Sequence, residues 1–138
     1  MKRPFTHYFP VIARILLGLI FFASGVVGIL QLAPPPKTMP PGALDFFDAM
    51  ARTHYMLQLV SGTQALSGAL LLVNRFVPLA LAFLAPVIVN IIAFHIFLSL
   101  SSIAPGIVVT LLEIYLVWSY RKVYAPMLAM RAKPGDAV

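Results

Sequence analysis

Few side chains in this sequence are able to do chemistry. Arg14, His95 and Glu113 are the ionisable groups inside long apolar tracts, and Gln58, Gln64 and Asn90 are the amides nearest to them. An ionisable group within a membrane span is costly, so such groups tend to pair or to line a functional interior. Counting rise along each tract puts Arg14 and Glu113 close enough in depth for the long arginine to reach the carboxylate, with Gln64 at a similar level. His95 falls near the opposite end, with Gln31, Gln58 and His54, and Asn90 between the two layers. An ion pair with amide neighbours serves either to hold helices in register or to line a pocket for a quinone or other small ligand. A proton path would need a relay of several acids, which the sequence lacks.

Other chemistries fit worse. A b-type haem would have to draw its axial pair from His54 and His95, and His54 is expected at headgroup level. Two histidines and a distant glutamate fall short of a metal site. With 0 cysteines there is no thiolate ligand, thiol nucleophile or disulfide. No phosphate loop or nucleophile elbow occurs. The expectation is therefore an intramembrane polar cluster of Arg14, Gln58, Gln64, Asn90, His95 and Glu113, with no catalytic set.

The elements that must position these residues follow from composition. Of 138 residues, 61% are hydrophobic and 10% charged, against about 25% charged in a soluble domain. Such a chain has too little polar surface to cover itself in water. Breaking it at charges, prolines and glycines predicts four apolar spans at about 10–32, 54–74, 77–98 and 105–124. Five prolines between Ala33 and Gly42 exclude helix from the first connection. After it, Leu44, Phe47 and Met50 recur every three residues with Asp45 and Asp48 on another side, predicting a short amphipathic helix at the membrane interface over 43–52. Asn74-Arg75-Phe76-Val77-Pro78 is a tight turn, and 125–138 is expected as a cytoplasmic tail.

Charge sets the orientation. Lys2, Arg3, Arg75, Arg121, Lys122, Arg131 and Lys133 fall on one side of four threaded spans, and only Lys37 and Arg52 on the other. Seven against two predicts cytoplasmic termini. The net charge of +6 is thus a topology signal and not a nucleic-acid footprint. The first apolar tract is too long for a signal peptide and carries Arg14, so it is expected to remain as a span.

Each span has a face of small or polar residues, as association within lipid requires. These are Arg14, Gly18, Phe21, Gly25, Gly28 and Leu32 in the first, and Gln58, Ser61, Ala65 and Gly68 in the second. Phe83, Pro86, Asn90 and Phe97 share a face in the third, where Pro86 is expected to kink the helix. Gly106, Thr110, Glu113, Val117, Tyr120 and Tyr124 align in the fourth. The predicted fold is an all-α integral membrane four-helix bundle.

Three stretches carry a family likeness. Arg14-Ile15-Leu16-Leu17-Gly18-Leu19-Ile20-Phe21 is followed by Ser67-Gly68-Ala69-Leu70-Leu71-Leu72-Val73-Asn74-Arg75-Phe76-Val77-Pro78-Leu79-Ala80, and then by Ala85-Pro86-Val87-Ile88-Val89-Asn90-Ile91 with Phe94-His95. In order and spacing the chain resembles the DoxX family of small bacterial membrane proteins, from the first span to Arg121. The resemblance implies a four-helix bundle in the bacterial inner membrane. It also implies a link to thiosulfate–quinone oxidoreduction or to oxidative-stress complexes, with a membrane or peripheral redox protein as partner. Many relatives carry a glutamate in the second span ahead of a Gly-Gly pair, where this chain has Gln64 and Ser67-Gly68. The leading expectation is a non-catalytic subunit in contact with the lipid bilayer. The alternative is a quinone-binding oxidoreductase component, with Arg14, Gln64, Asn90 and Glu113 bonding the quinone carbonyls. Transport of a small solute has no sequence mark of its own.

Overall fold

The computed structural model describes residues 8–131 and 133–135, and among them the chain is helical with no strand. The helices are α1 (Phe9–Leu30), α2 (Pro41–Arg52), α3 (Met56–Leu72), α4 (Val77–Leu98), α5 (Ala104–Ser119) and α6 (Arg121–Tyr124). Single 3-10 turns occupy Leu100–Ser102 and Ala125–Leu128. Lys2 and Arg3, which entered the orientation count, lie outside the described residues.

Proline writes many of the helix starts. Pro10, Pro41, Pro78 and Pro105 each sit in the first turn of a helix, where the missing N–H would have no intrahelical acceptor and the fixed φ suits the helix. Three of the ends use left-handed residues other than glycine, His54 after α2 among them. Gln31 closes α1 at φ 51°. Asn74 follows α3 at φ 56°, its N–H reaching Leu71 O at 3.3 Å while Arg75 N–H reaches Leu70 O at 3.0 Å. This paired Schellman ending lets a short turn reverse the chain into α4. Between α2 and α3, the Thr53 hydroxyl donates to Met50 O at 2.6 Å and accepts from Met56 N–H at 3.0 Å, fastening one helix end to the next start.

α1 packs on α3 and α5, and α4 packs on the same two helices, so the four longest helices touch in a closed cycle. Leu17, Phe21, Leu71, Leu81, Leu84 and Leu116 fill the centre. The α1–α3 contact is the most extensive, and it brings backbone to backbone. A methyl group added at Gly25 would meet Ala65 and the Ser61 carbonyl, and one at Gly68 would meet Phe22 and the Gly18 carbonyl. Glycine at these positions is what lets the two helices approach so closely. α2 lies across α3 and α4. Ala43 is fully buried, Asp45 and Asp48 face outward, and Phe46 and Phe47 stack around Phe94 at 5.5 and 5.4 Å between ring centroids.

The exterior is apolar. α1 and α4, each 22 residues, are long and apolar enough to cross a membrane, yet only 28% of either apolar stretch is buried. A core helix of a water-soluble domain would hide most of that surface. α3 and α5, with 17 and 16 residues, are apolar but shorter. The fourth apolar tract ends as a regular helix at Ser119, and Tyr120 separates it from α6. α4 runs unbroken through Pro86.

Candidate functional site

Arg14 lies on the buried face of α1 with Leu17, Gly18, Phe21 and Gly25. Its guanidinium donates to the carbonyl of Leu71. That oxygen belongs to the last turn of α3, where carbonyls lack intrahelical donors and the helix dipole is negative. Arg14 therefore caps the C-terminus of a neighbouring helix. The glycine contact between α1 and α3 makes this reach short, because it draws the arginine's own face onto α3.

Glu113 lies on the buried face of α5 with Gly106, Val109 and Leu116. It is 5% exposed, and neither carboxyl oxygen has a hydrogen-bond partner. The expected Arg14–Glu113 ion pair does not form. The reason is rotational: α5 meets α1 along Phe9, Ile12, Ala13 and Leu16, which border an apolar groove of about 640 Å³ with Val108, Leu111, Leu112 and Tyr115. Arg14 is on another side of α1, turned to α3. A second apolar groove of about 440 Å³ runs between α4 and α5. Glu113 borders it with its stem, since both oxygens are sealed from the surface.

The other expected members are dispersed. Gln58 is exposed in the first turn of α3, and Gln64 is half-buried further along the same helix. Asn90 is exposed on α4. The buried face of that helix is Val77, Ala80, Leu81, Leu84 and Ile88, so Phe83, Pro86, Asn90 and Phe97 form the outward stripe and not a face of the interior. Pro86 and Asn90 carry the polar and helix-bending marks expected of an interior face, but the core side of α4 is purely aliphatic. His95 is half-buried. Its Nδ1–H donates to Ile91 O at 2.7 Å, and a methyl on Gly106 would stand 3.2 Å from that nitrogen. His54 is exposed in the α2–α3 connection at φ 63°.

The four groups expected to bond a quinone thus do not converge. Arg14 is engaged with a backbone carbonyl, Asn90 points out of the fold, and Glu113 is enclosed. Sequence reasoning missed three polar features. The Leu71 carbonyl carries no side-chain signal, although at a helix end it has a lone pair to offer beyond the one that accepts from Asn74 N–H. Ser67 is buried with no partner for its hydroxyl. Tyr124 donates to Pro78 O at 2.6 Å, tying α6 to the start of α4. Among the described residues, Arg14 and Tyr124 fasten helices to one another through backbone carbonyls.

The family model described as DoxX matches residues 9–96, which run from the start of α1 into the last turn of α4. No curated protein and no solved structure matches the chain significantly.

Proposed function

The chain belongs to the DoxX family of membrane proteins, and from that premise we propose that it is a four-span subunit of a redox or stress-response complex that carries no chemistry of its own. The observation that supports this reading most is the dispersal of its polar groups. Arg14, His95 and the hydroxyls of Ser24, Thr63, Thr110 and Ser119 bond to backbone carbonyls, and the remaining amides do not converge on a common space. The function of such a chain lies in its faces and not in a pocket.

In this reading α1, α3, α4 and α5 all cross the bacterial inner membrane, the outward apolar side chains meet lipid, and α2 rests at the outer interface. The Tyr124–Pro78 bond brings Arg121 and Lys122 to the same end as the Arg75 turn, and that shared basic end supports cytoplasmic termini. Trp118, with the Arg121 guanidinium 4.6 Å above its ring, suits the headgroup layer beside it. The partner is a membrane or peripheral redox protein. Affinity purification of the full chain in mild detergent, with and without oxidative stress, tests the reading. Stoichiometric recovery of a redox protein is the expected result, and recovery of this chain without any such protein in both conditions would sink it.

A further inference from the structure

Several polar side chains on α1, α3, α4 and α5 follow one habit. Ser24 donates to Ile20 O, Thr63 to Leu59 O, Thr110 to Gly106 O and Ser119 to Tyr115 O, each four residues back on its own helix, and His95 does the same with Ile91 O. Such side chains are at peace with a hydrocarbon surrounding because they bring no unmet donor to it. Asn90 departs from this habit, as the buried Ser67 and Glu113 do, but it does so on the outer surface. It is the fourteenth residue of the 22-residue α4, well away from either end, and it is exposed with no hydrogen bond. Gln58, by contrast, sits in the first turn of its helix, and Gln64 is half enclosed.

The surroundings of Asn90 sharpen the anomaly. Phe83, Pro86 and Phe97 lie on the same outward stripe, Phe97 being 82% exposed. Pro86 has no N–H, so the Ala82 carbonyl, also on the outer side, loses its helical donor. The stripe therefore presents an amide and a backbone acceptor to a medium that offers neither donors nor acceptors. A carboxamide is its own complement, having two N–H donors and a carbonyl acceptor. Two such groups facing across a two-fold axis exchange N–H···O=C bonds and satisfy each other, and a two-fold interface uses the same patch twice.

We infer that the Phe83–Pro86–Asn90–Phe97 stripe of α4 is the interface of a homodimer within the membrane, with the Asn90 amides of two copies bonded to one another. The inference rests on the four-span reading. Both copies then share one orientation, so Phe83 approaches Phe83 and Phe97 approaches Phe97, while α1, α3 and α5 stay on the far side of each subunit or flank the contact.

The absence of cysteine from the chain makes the test clean. Phe83→Cys, Phe97→Cys and, on the exposed face of α5, Leu111→Cys are introduced singly into the full chain and treated in native membranes with a flexible bismaleimide. A product of twice the chain mass is expected from both α4 reporters and not from Leu111→Cys. Asn90→Leu added to either α4 reporter should lower that product about tenfold, and Asn90→Gln should keep most of it. Equal yields from the three reporters, a yield indifferent to Asn90→Leu, or a cross-link only to a protein of different mass would each overturn the dimer. Carbonate extraction separates the two levels of failure. Chain retained in the membrane without dimer refutes this interface alone, whereas chain released by carbonate refutes the spanning reading and the dimer with it.

Discussion

Replacing Gly68 by alanine is the sharpest probe of how this fold is held. The new Cβ would stand 2.8 Å from both the Phe22 Cα and the Gly18 carbonyl oxygen, and closer still to the Phe22 nitrogen. Carbon atoms prefer about 3.5–4.0 Å. All three obstacles are backbone, so no rotamer change relieves them and α1 must move off α3 by roughly 1 Å. A gap of that size forfeits about a quarter to a half of each dispersion contact it opens, and overpacking of this kind costs about 1–3 kcal/mol. Gly62 on the same helix is the internal control. A Cβ there meets nothing within 4 Å, and alanine gains about 0.8–1 kcal/mol of helix propensity. Gly18→Ala should fall between, because its Cβ meets Leu71 Cβ and the movable end of Leu72 at 3.1 Å. Gly68→Ala gains the same helix propensity, so the expected separation between Gly62→Ala and Gly68→Ala is the packing cost alone, about 1–3 kcal/mol. Thermal unfolding in mild detergent, followed by the fraction still monodisperse on size exclusion after heating, gives the order Gly62→Ala above wild type, then Gly18→Ala, then Gly68→Ala. A Gly68→Ala protein as heat-resistant as Gly62→Ala would refute the close approach of α1 and α3.

Two further expectations concern the polar interior and α2. Arg14→Leu removes a charge-assisted bond to the end of α3 and should cost about 1.5–3 kcal/mol, whereas Glu113→Leu removes an unpartnered buried carboxyl and should be neutral or stabilising by about 1–3 kcal/mol. The double variant should equal the sum of the two within about 0.5 kcal/mol, and exchanging the two charges should give no rescue. A large coupling energy in that thermal double-mutant cycle would restore the ion pair. Phe94→Ala takes away the ring against which Phe46 and Phe47 stack and should cost about 3–5 kcal/mol at a well-buried site, less here because Phe94 is half-buried. Limited proteolysis should then cut between Ala33 and Arg52 sooner than in wild type, and an unchanged cleavage rate would count against the docking of α2.

The sequence announces some of these features much better than others. Charges, prolines and glycines punctuate the chain, so helices and turns are legible from them, down to the Asn74 turn and the proline-led starts. The small stripe of α1 predicts a close contact with some neighbouring helix, because close approach has a compositional requirement, and the structure makes that neighbour α3. The partner of Arg14 was not legible, since a helix-end carbonyl belongs to no side chain and depth alone cannot say which way a helix is rotated. For α4 the small-and-polar rule for interior faces fails outright. Its core face is aliphatic, and the residues that looked interior are outside. A polar residue in a span marks a contact, but the contact need not be within the same subunit.

The alternation of helix lengths has a further consequence. At 1.5 Å per residue, α1 and α4 are about 33 Å long while α3 and α5 are about 24–26 Å, and in the closed cycle each long helix stands between two short ones. A hydrocarbon layer of about 30 Å therefore matches neither kind. With all four helices spanning, as proposed, lipid beside α3 and α5 would thin or the long pair would tilt, at a cost of fractions of a kcal/mol per ångström of mismatch. On the proposed topology the protein would carry an uneven hydrophobic belt, making bilayer thickness a variable that acts on its assembly and on where in a membrane it collects.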